Sequence, residues 1–292
     1  MSPPRNKAIG LVPILPVTLE PLVRRLLAPN PSPFTYTGTQ TYIVGRGEVA
    51  VIDPGPDLPE HVEAVLLATQ SERIGAILCT HTHRDHSPAS RALQAATGAP
   101  IIGCAPLTLE DDGPRADAAF DPDYRPDRVL ADSETVSGPG WTLQAVATPG
   151  HTSNHLCFAL QESKALFSGD HIMGWSTTVV SPPDGDMAAY MQSLDLCVAR
   201  DDRIYYPAHG DPVTEPQRFV RAVATHRRQR ERQILELLEQ EAQPIPAMVA
   251  AMYRGIDPRL HGAAGRSVLA HLIDLEARDR VWRDGENWAV AA

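Results

Sequence analysis

A hexapeptide, His81-Thr82-His83-Arg84-Asp85-His86, sits directly behind the apolar run IGAILC at residues 74–79. A β-branched run of that length reads as a buried strand, which places the hexapeptide on the loop at the strand's carboxyl end. In open α/β sheets that end is where sites are built. Its three histidines and one aspartate offer imidazole nitrogens and a carboxylate, the donors that a borderline divalent ion such as Zn²⁺ selects. Alternation along an extended loop points His81 and His83 the same way, and Asp85 and His86 can then turn toward a second ion.

The same grammar recurs along the chain. Residues 49–52 lead into Asp53-Pro54-Gly55, and 143–147 into Thr148-Pro149-Gly150-His151-Thr152. Residues 164–167 lead into Ser168-Gly169-Asp170-His171, and 203–206 into Pro207-Ala208-His209-Gly210. Each is an apolar run, a small or proline residue, a ligand-type side chain and a turn. Taken singly, Gly-Asp or Pro-Gly is an ordinary turn signal; the order gives these segments their weight.

Over roughly residues 34–212 that order resembles the metallo-β-lactamase superfamily. The resemblance implies an α/β fold, a metallo-β-lactamase αββα sandwich followed by a small winged-helix domain, divided at residues 1–214 and 215–292. It implies His81, His83 and His151 as ligands of one metal, Asp85, His86 and His209 as ligands of a second, and Asp170 as the carboxylate between them. Asp53 matches the aspartate that orients metal-site histidines without touching metal. Asp85 and Asp170 would be the catalytic pair that holds the attacking water, and one or the other would relay its proton. The tail, with HRRQRERQILELL and VLAHLIDLEARDRVWRDGENWAV, is similar to the winged-helix tail of the β-lactamase-like-protein-2 branch, as are GTQTYIVG, GDHIMGWST and DGDMAAYMQSL. Gln40 stands where asparagine is usual, and Ser87-Pro88-Ala89 replace the glycines that commonly follow the histidine motif.

Other residues carry two readings. Arg84 is the charged residue best placed to meet an anionic substrate. Trp175 either lines the substrate cleft or packs in the core, and Phe34, Tyr36 and Tyr206 are candidates of the same kind. His155 and His171 either hydrogen-bond to the ligands or simply pack. His61, His226, His261 and His271 lie far from the motifs and receive no role.

The spacing predicts a hairpin over 39–53 turning at Gly45–Gly47, a helix over 58–70 and a strand over 99–104. A helix over 87–97 is expected to be capped by Ser87, with Pro88 at its first position. Residues 111–132, rich in Asp and Pro, read as a long loop. Asp186 can cap a helix through Ala199. At Glu215-Pro216 the pattern switches to a long helix, two short helices and a strand pair around Asp284-Gly285. Arg5 and Lys7 precede an apolar stretch over 8–17, but Pro13 and Pro16 interrupt it, so an ordinary amino-terminal strand is expected.

Composition narrows the classes. The 292 residues are 43% hydrophobic and 21% charged, as in soluble globular chains of one large core and one small domain. No run approaches the ~18 apolar residues of a membrane span. Cys79, Cys104, Cys157 and Cys197 are widely spaced without a CxxC, which fits buried thiols in a reducing cytoplasm. The ratio of 24 Arg to 2 Lys matches a GC-rich bacterial genome. Net charge is −10; residues 1–214 carry 25 acidic against 14 basic side chains, while 215–292 carry 11 against 12. The acidic larger part opposes long-range capture of nucleic acid.

The resemblance implies a hydrolase with two divalent ions, Zn²⁺ first and Mn²⁺ or Fe²⁺ as alternatives, that activates a bridging water without a serine nucleophile. No G-x-S-x-G elbow competes. The branch implies cleavage of single-stranded RNA; the alternative is a small-molecule ester or thioester hydrolase similar to hydroxyacylglutathione hydrolase. A third class is a non-catalytic winged-helix binding protein. With RNA, the basic run Arg221, Arg227, Arg228, Arg230 and Arg232 would contact phosphates. Glu231, Glu236, Glu239 and Glu241 interleave with it, so a solvated helix face is the other reading. With a small substrate, the tail would shape the cleft or a homodimer contact.

Overall fold

The computed structural model describes residues 14–107, 120–255, 257 and 260–291. The amino-terminal stretch read as a strand therefore lies largely outside the described residues, as does part of the loop read over 111–132. In chain order the first sheet comprises β1 (Val17–Glu20), β2 (Val23–Leu27), β3 (Gln40–Arg46), β4 (Glu48–Ile52), β5 (Arg73–Cys79), β6 (Ile101–Gly103) and β7 (Arg128–Val129). The β3–β4 pair is the expected hairpin, with Arg46 opposite Glu48. From β4 onward pairing is parallel, and helices α1 (Pro59–Ala68) and α2 (Ala89–Thr97) make the crossovers.

The second sheet runs in the order β12 (Ile204–Pro207), β11 (Ala165–Gly169), β10 (Leu156–Leu160), β9 (Trp141–Ala147), β8 (Thr135–Gly138). Helix α3 (Met187–Ala199) connects the parallel pair β11 and β12, and the Asp186 carboxylate accepts from Ala189 N at 2.8 Å, the expected cap. Side chains on these strands alternate between two cores. Leu156, Phe158 and Leu160 join the core between the sheets; Cys157 and Ala159 join the core beneath α3 and helix α4 (Pro216–Gln240). A strand buried on both faces reads as a continuous apolar run, as 156–160 and 165–167 do.

Helix α4 belongs to two cores. Val220, Val223 and Ala224 pack against the second sheet, whereas Ile234 and Leu238 enter a third core. That third core is closed by α5 (Ile245–Met252), α6 (His261–Ala277) and a small sheet of β13 (Gln243–Pro244), β15 (Asn287–Val290) and β14 (Val281–Asp284). The molecule is an αββα sandwich followed by a winged-helix unit.

Three local expectations change. Helix α2 begins at Ala89 without a side-chain cap, because the Ser87 hydroxyl donates to Asp121 Oδ2 instead. The segment 111–132 contains strand β7 and the fully buried Tyr124. Helix α6, at 17 residues, is not short. The four cysteines are buried free thiols, and no helix among the described residues is long and apolar enough to cross a membrane.

Candidate metal centre

Strands β9 and β11 both run antiparallel to β10, and β12 runs parallel to β11, so their carboxyl ends share one edge. The parallel β4 and β5 deliver theirs to the same edge. Backbone bonds stitch the two sheets there: Leu156 N donates to Thr80 O at 2.8 Å, and Gln40 N to Ala208 O at 2.8 Å. Close approach is made possible by glycine. A Cβ on Gly169 (φ +50°) would lie 2.7 Å from His155, and one on Gly150 (φ +138°) 2.4 Å from the Tyr190 backbone, distances a side chain does not tolerate.

His81, His83, His151 and Asp170 meet in one buried group, and Asp85, His86 and His209 in another. His83 Nδ1 is 3.0 Å from His81 Nε2 and 3.1 Å from His151 Nε2. One proton can serve only one of these nitrogen pairs; a cation accepts all three lone pairs. Carbonyls define the tautomers, since a carbonyl only accepts. His151 Nδ1 donates to Val179 O at 2.7 Å and His209 Nδ1 to Gly38 O at 3.2 Å, which turns both Nε2 lone pairs inward. Outward partners of this kind are what orients metal-binding imidazoles.

Asp170 faces both groups. Its Oδ2 is 3.6 Å from His151 Nε2, and its Oδ1 is 3.6 Å from His86 Nε2 and 3.3 Å from His209 Nε2. His86 Nε2 and Asp170 Oδ1 are buried without a hydrogen bond among the described residues, an arrangement that costs free energy unless something else satisfies them. Asp85 Oδ2 lies 3.3 Å from His86 Nε2 and 3.2 Å from His209 Nε2, and accepts from Thr39 Oγ1 at 3.1 Å. Burial alone would raise both carboxyls, but the histidines, His209 and His86 among them, hold Asp85 and Asp170 well below the usual carboxylate range. Burial would lower His209, yet Asp170 and Asp85 push it up to about 10. The carboxylates thus demand positive charge in their midst. The two candidate sites fit a dinuclear metal centre.

Asp53 stands behind this centre. At φ 47°, a conformation aspartate tolerates better than most residues, it accepts from Thr80 N and Thr80 Oγ1 at 2.8 Å each and from His86 Nδ1 at 3.0 Å. His155 Nε2 accepts from Asp170 N at 3.2 Å, so its Nδ1 carries the proton and donates to Thr148 Oγ1 at 2.8 Å. His171 is packed instead: burial holds its pKa at about 3, and its ring lies edge-on to Tyr190 at 5.1 Å.

A cavity of about 360 Å³ opens onto His83, Asp85, His151 and Asp170. Phe34, Met173, Trp175 and Val179 wall it, and the exposed Arg84 borders it. Tyr36 stacks on Trp175 with centroids 5.0 Å apart and an angle of 12°. Tyr206 lies in the core between the sheets, away from the cavity. Sequence reasoning gave no role to Met173, which lies within GDHIMGWST, or to Thr178 and Val179 just beyond it. Only the fold shows that they face the site.

Residues 35–209 match the metallo-β-lactamase superfamily, and residues 245–288 match the β-lactamase-associated winged helix domain. The chain belongs to the metallo-β-lactamase superfamily. It is 36% identical over 227 residues to an atrochrysone carboxyl ACP thioesterase of Aspergillus fumigatus, covering 76% of this chain and 66% of that protein, just under two thirds of its length. It is 32% identical over 273 residues to the β-lactamase-like protein 2 homologue of Drosophila melanogaster, covering 89% of each. A β-lactamase domain protein from Burkholderia ambifaria shares the fold, with a TM-score of 0.79 at 19% identity over 94% of this chain and 93% of that one. Membership in the superfamily, joined to the two buried ligand groups, makes this chain a metal-dependent hydrolase.

Proposed function

We propose that this metallo-β-lactamase superfamily hydrolase is a zinc-dependent thioesterase for an apolar, planar acyl group. The observation that carries the proposal is the cavity wall. Phe34, Met173, Trp175 and Val179 line it, and Arg84 is the one lysine or arginine among its described lining residues. A nucleic-acid strand needs successive phosphate contacts. Of the five arginines expected to supply them, Arg221 and Arg232 are exposed and the other three are engaged within the chain. Arg227 is buried, Arg228 pairs with Asp195 at 3.5 Å, and Arg230 donates to Met252 O at 3.1 Å with Tyr253 4.4 Å away. That leaves the expected phosphate-binding run incomplete, and the thioesterase name of a relative 36% identical favours the thioester reading.

His81, His83, His151 and Asp170 would hold one ion and Asp85, His86 and His209 with Asp170 the other, and bound ions supply an activated water and a polarised carbonyl. The imidazole-rich donor set favours zinc. One of Asp85 and Asp170, both ionised at neutral pH, would accept the proton of the attacking water. The apolar wall holds the acyl group and excludes bulk water. A thiol of pKa about 8.5 departs as its anion near neutral pH, so the leaving group needs little acid assistance. Arg84 meets an anionic group on the thiol portion of the substrate. In this reading residues 1–214 carry catalysis and 215–292 form the winged-helix unit.

The test is thiol release from benzoyl- and acetyl-pantetheine, beside cleavage of a labelled single-stranded RNA, each with zinc and with chelator. Chelator-sensitive thiol release that favours the benzoyl substrate is expected. Chelator-sensitive RNA cleavage with inert thioesters would overturn the proposal.

A further inference from the structure

The loop that follows Asp170 is held from a distant part of the chain. Arg227, on α4, has 3% of its surface exposed. Its Nη2 donates to Thr178 O, and its guanidinium lies 5.4 Å from the centroid of the Tyr190 ring. No carboxylate pairs with it among the described residues, and its Nε is buried without a hydrogen bond there. A buried cation without a carboxylate partner is costly, so the contacts it does make define its place. Thr178 Oγ1 donates to the carbonyl of Asp170 and, at 3.4 Å, to that of His171. The next carbonyl, Val179 O, accepts from His151 Nδ1 at 2.7 Å. The Tyr190 hydroxyl donates to His171 O at 3.0 Å, which anchors the start of the same loop.

From these contacts we infer that Arg227 is a positioning residue for the metal centre. By holding the carbonyl of Thr178, it fixes the two-residue segment that orients the His151 ring and braces the backbone of Asp170. The helix leading into the winged-helix unit thereby sets two of the four groups of the first site. The inference rests on the reading of His151 and Asp170 as metal-holding residues, and it is independent of which substrate the enzyme hydrolyses.

The experiment compares wild type, Arg227→Met and Arg227→Lys as full-length proteins. Zinc affinity is measured by competition with a chromophoric chelator, and the absorption bands of the Co²⁺-substituted protein are recorded. Outer partners of metal ligands typically contribute 10–100-fold in affinity. The folded Met variant should bind the tighter zinc about 10–100-fold more weakly with altered Co²⁺ bands. The Lys variant, which keeps the charge without the planar fork, should fall between. A folded Met variant with wild-type affinity and bands would overturn the inference. Should the Met variant fail to fold, the Lys variant decides: weakened affinity supports the inference and wild-type affinity overturns it. Wild type that takes up no zinc would instead overturn the metal reading itself.

Discussion

His81, His83 and His151 surround the single carboxylate of Asp170, whereas His86 and His209 share that carboxylate with a second one, Asp85. The difference shows in the imidazoles. In the first group burial and neighbouring rings hold His81 well below its ordinary pKa and His83 at about 3. In the second, burial is outweighed by Asp85, Asp170 and Asp53, which hold His86 well above. The same residue types thus make one group of three imidazoles with one carboxylate and one of two imidazoles between two carboxylates. Imidazole suits zinc, while carboxylate also suits harder ions such as Mn²⁺.

Asp170 is where that contrast breaks down, because it belongs to both groups. Asp170→Ala should lower turnover by more than about a thousandfold and leave fewer than two ions per chain by elemental analysis. Near-normal rates with two ions bound would show that the groups do not depend on a shared carboxylate. Next in size is Asp53→Ala, which removes the partner of His86 but only the neighbour of His81 through Thr80. The Asp85, His86, His209 site should lose about 10–100-fold in affinity while the first site changes little; equal losses in a metal titration would erase the distinction. A smaller effect is expected from partial chelation followed by Mn²⁺. The manganese should enter the carboxylate-rich site, where paramagnetic resonance reports it beside a retained zinc. Random filling would mean that donor type does not separate the sites. Least affected should be the variant that touches neither group: Trp175→Ala should raise KM for a benzoyl thioester about 3- to 10-fold, the range of one lost aromatic contact, with kcat nearly unchanged. An unchanged KM would remove Trp175 from the substrate wall.

The residues at the strand ends were legible because local sequence determines both the strand and the turn behind it. Once 74–79 forms a buried strand, chain continuity places His81 through His86 at its end; the same holds for His151, Asp170 and His209. The alternation of 156–160 between two cores was hidden, since a strand buried on both faces has no polar beat. Ser87 shows how a local expectation fails: its hydroxyl is taken by Asp121, 34 residues away, and no cap rule sees that partner. Tertiary structure alone decided the wall and its brace. Tyr36 reaches Trp175, and Arg227 reaches Thr178 across 49 residues. Such contacts are set by how helices and loops pack on the sheets. Neither partner carries a local signature of the other, because the energy that joins them exists only after the sandwich has closed.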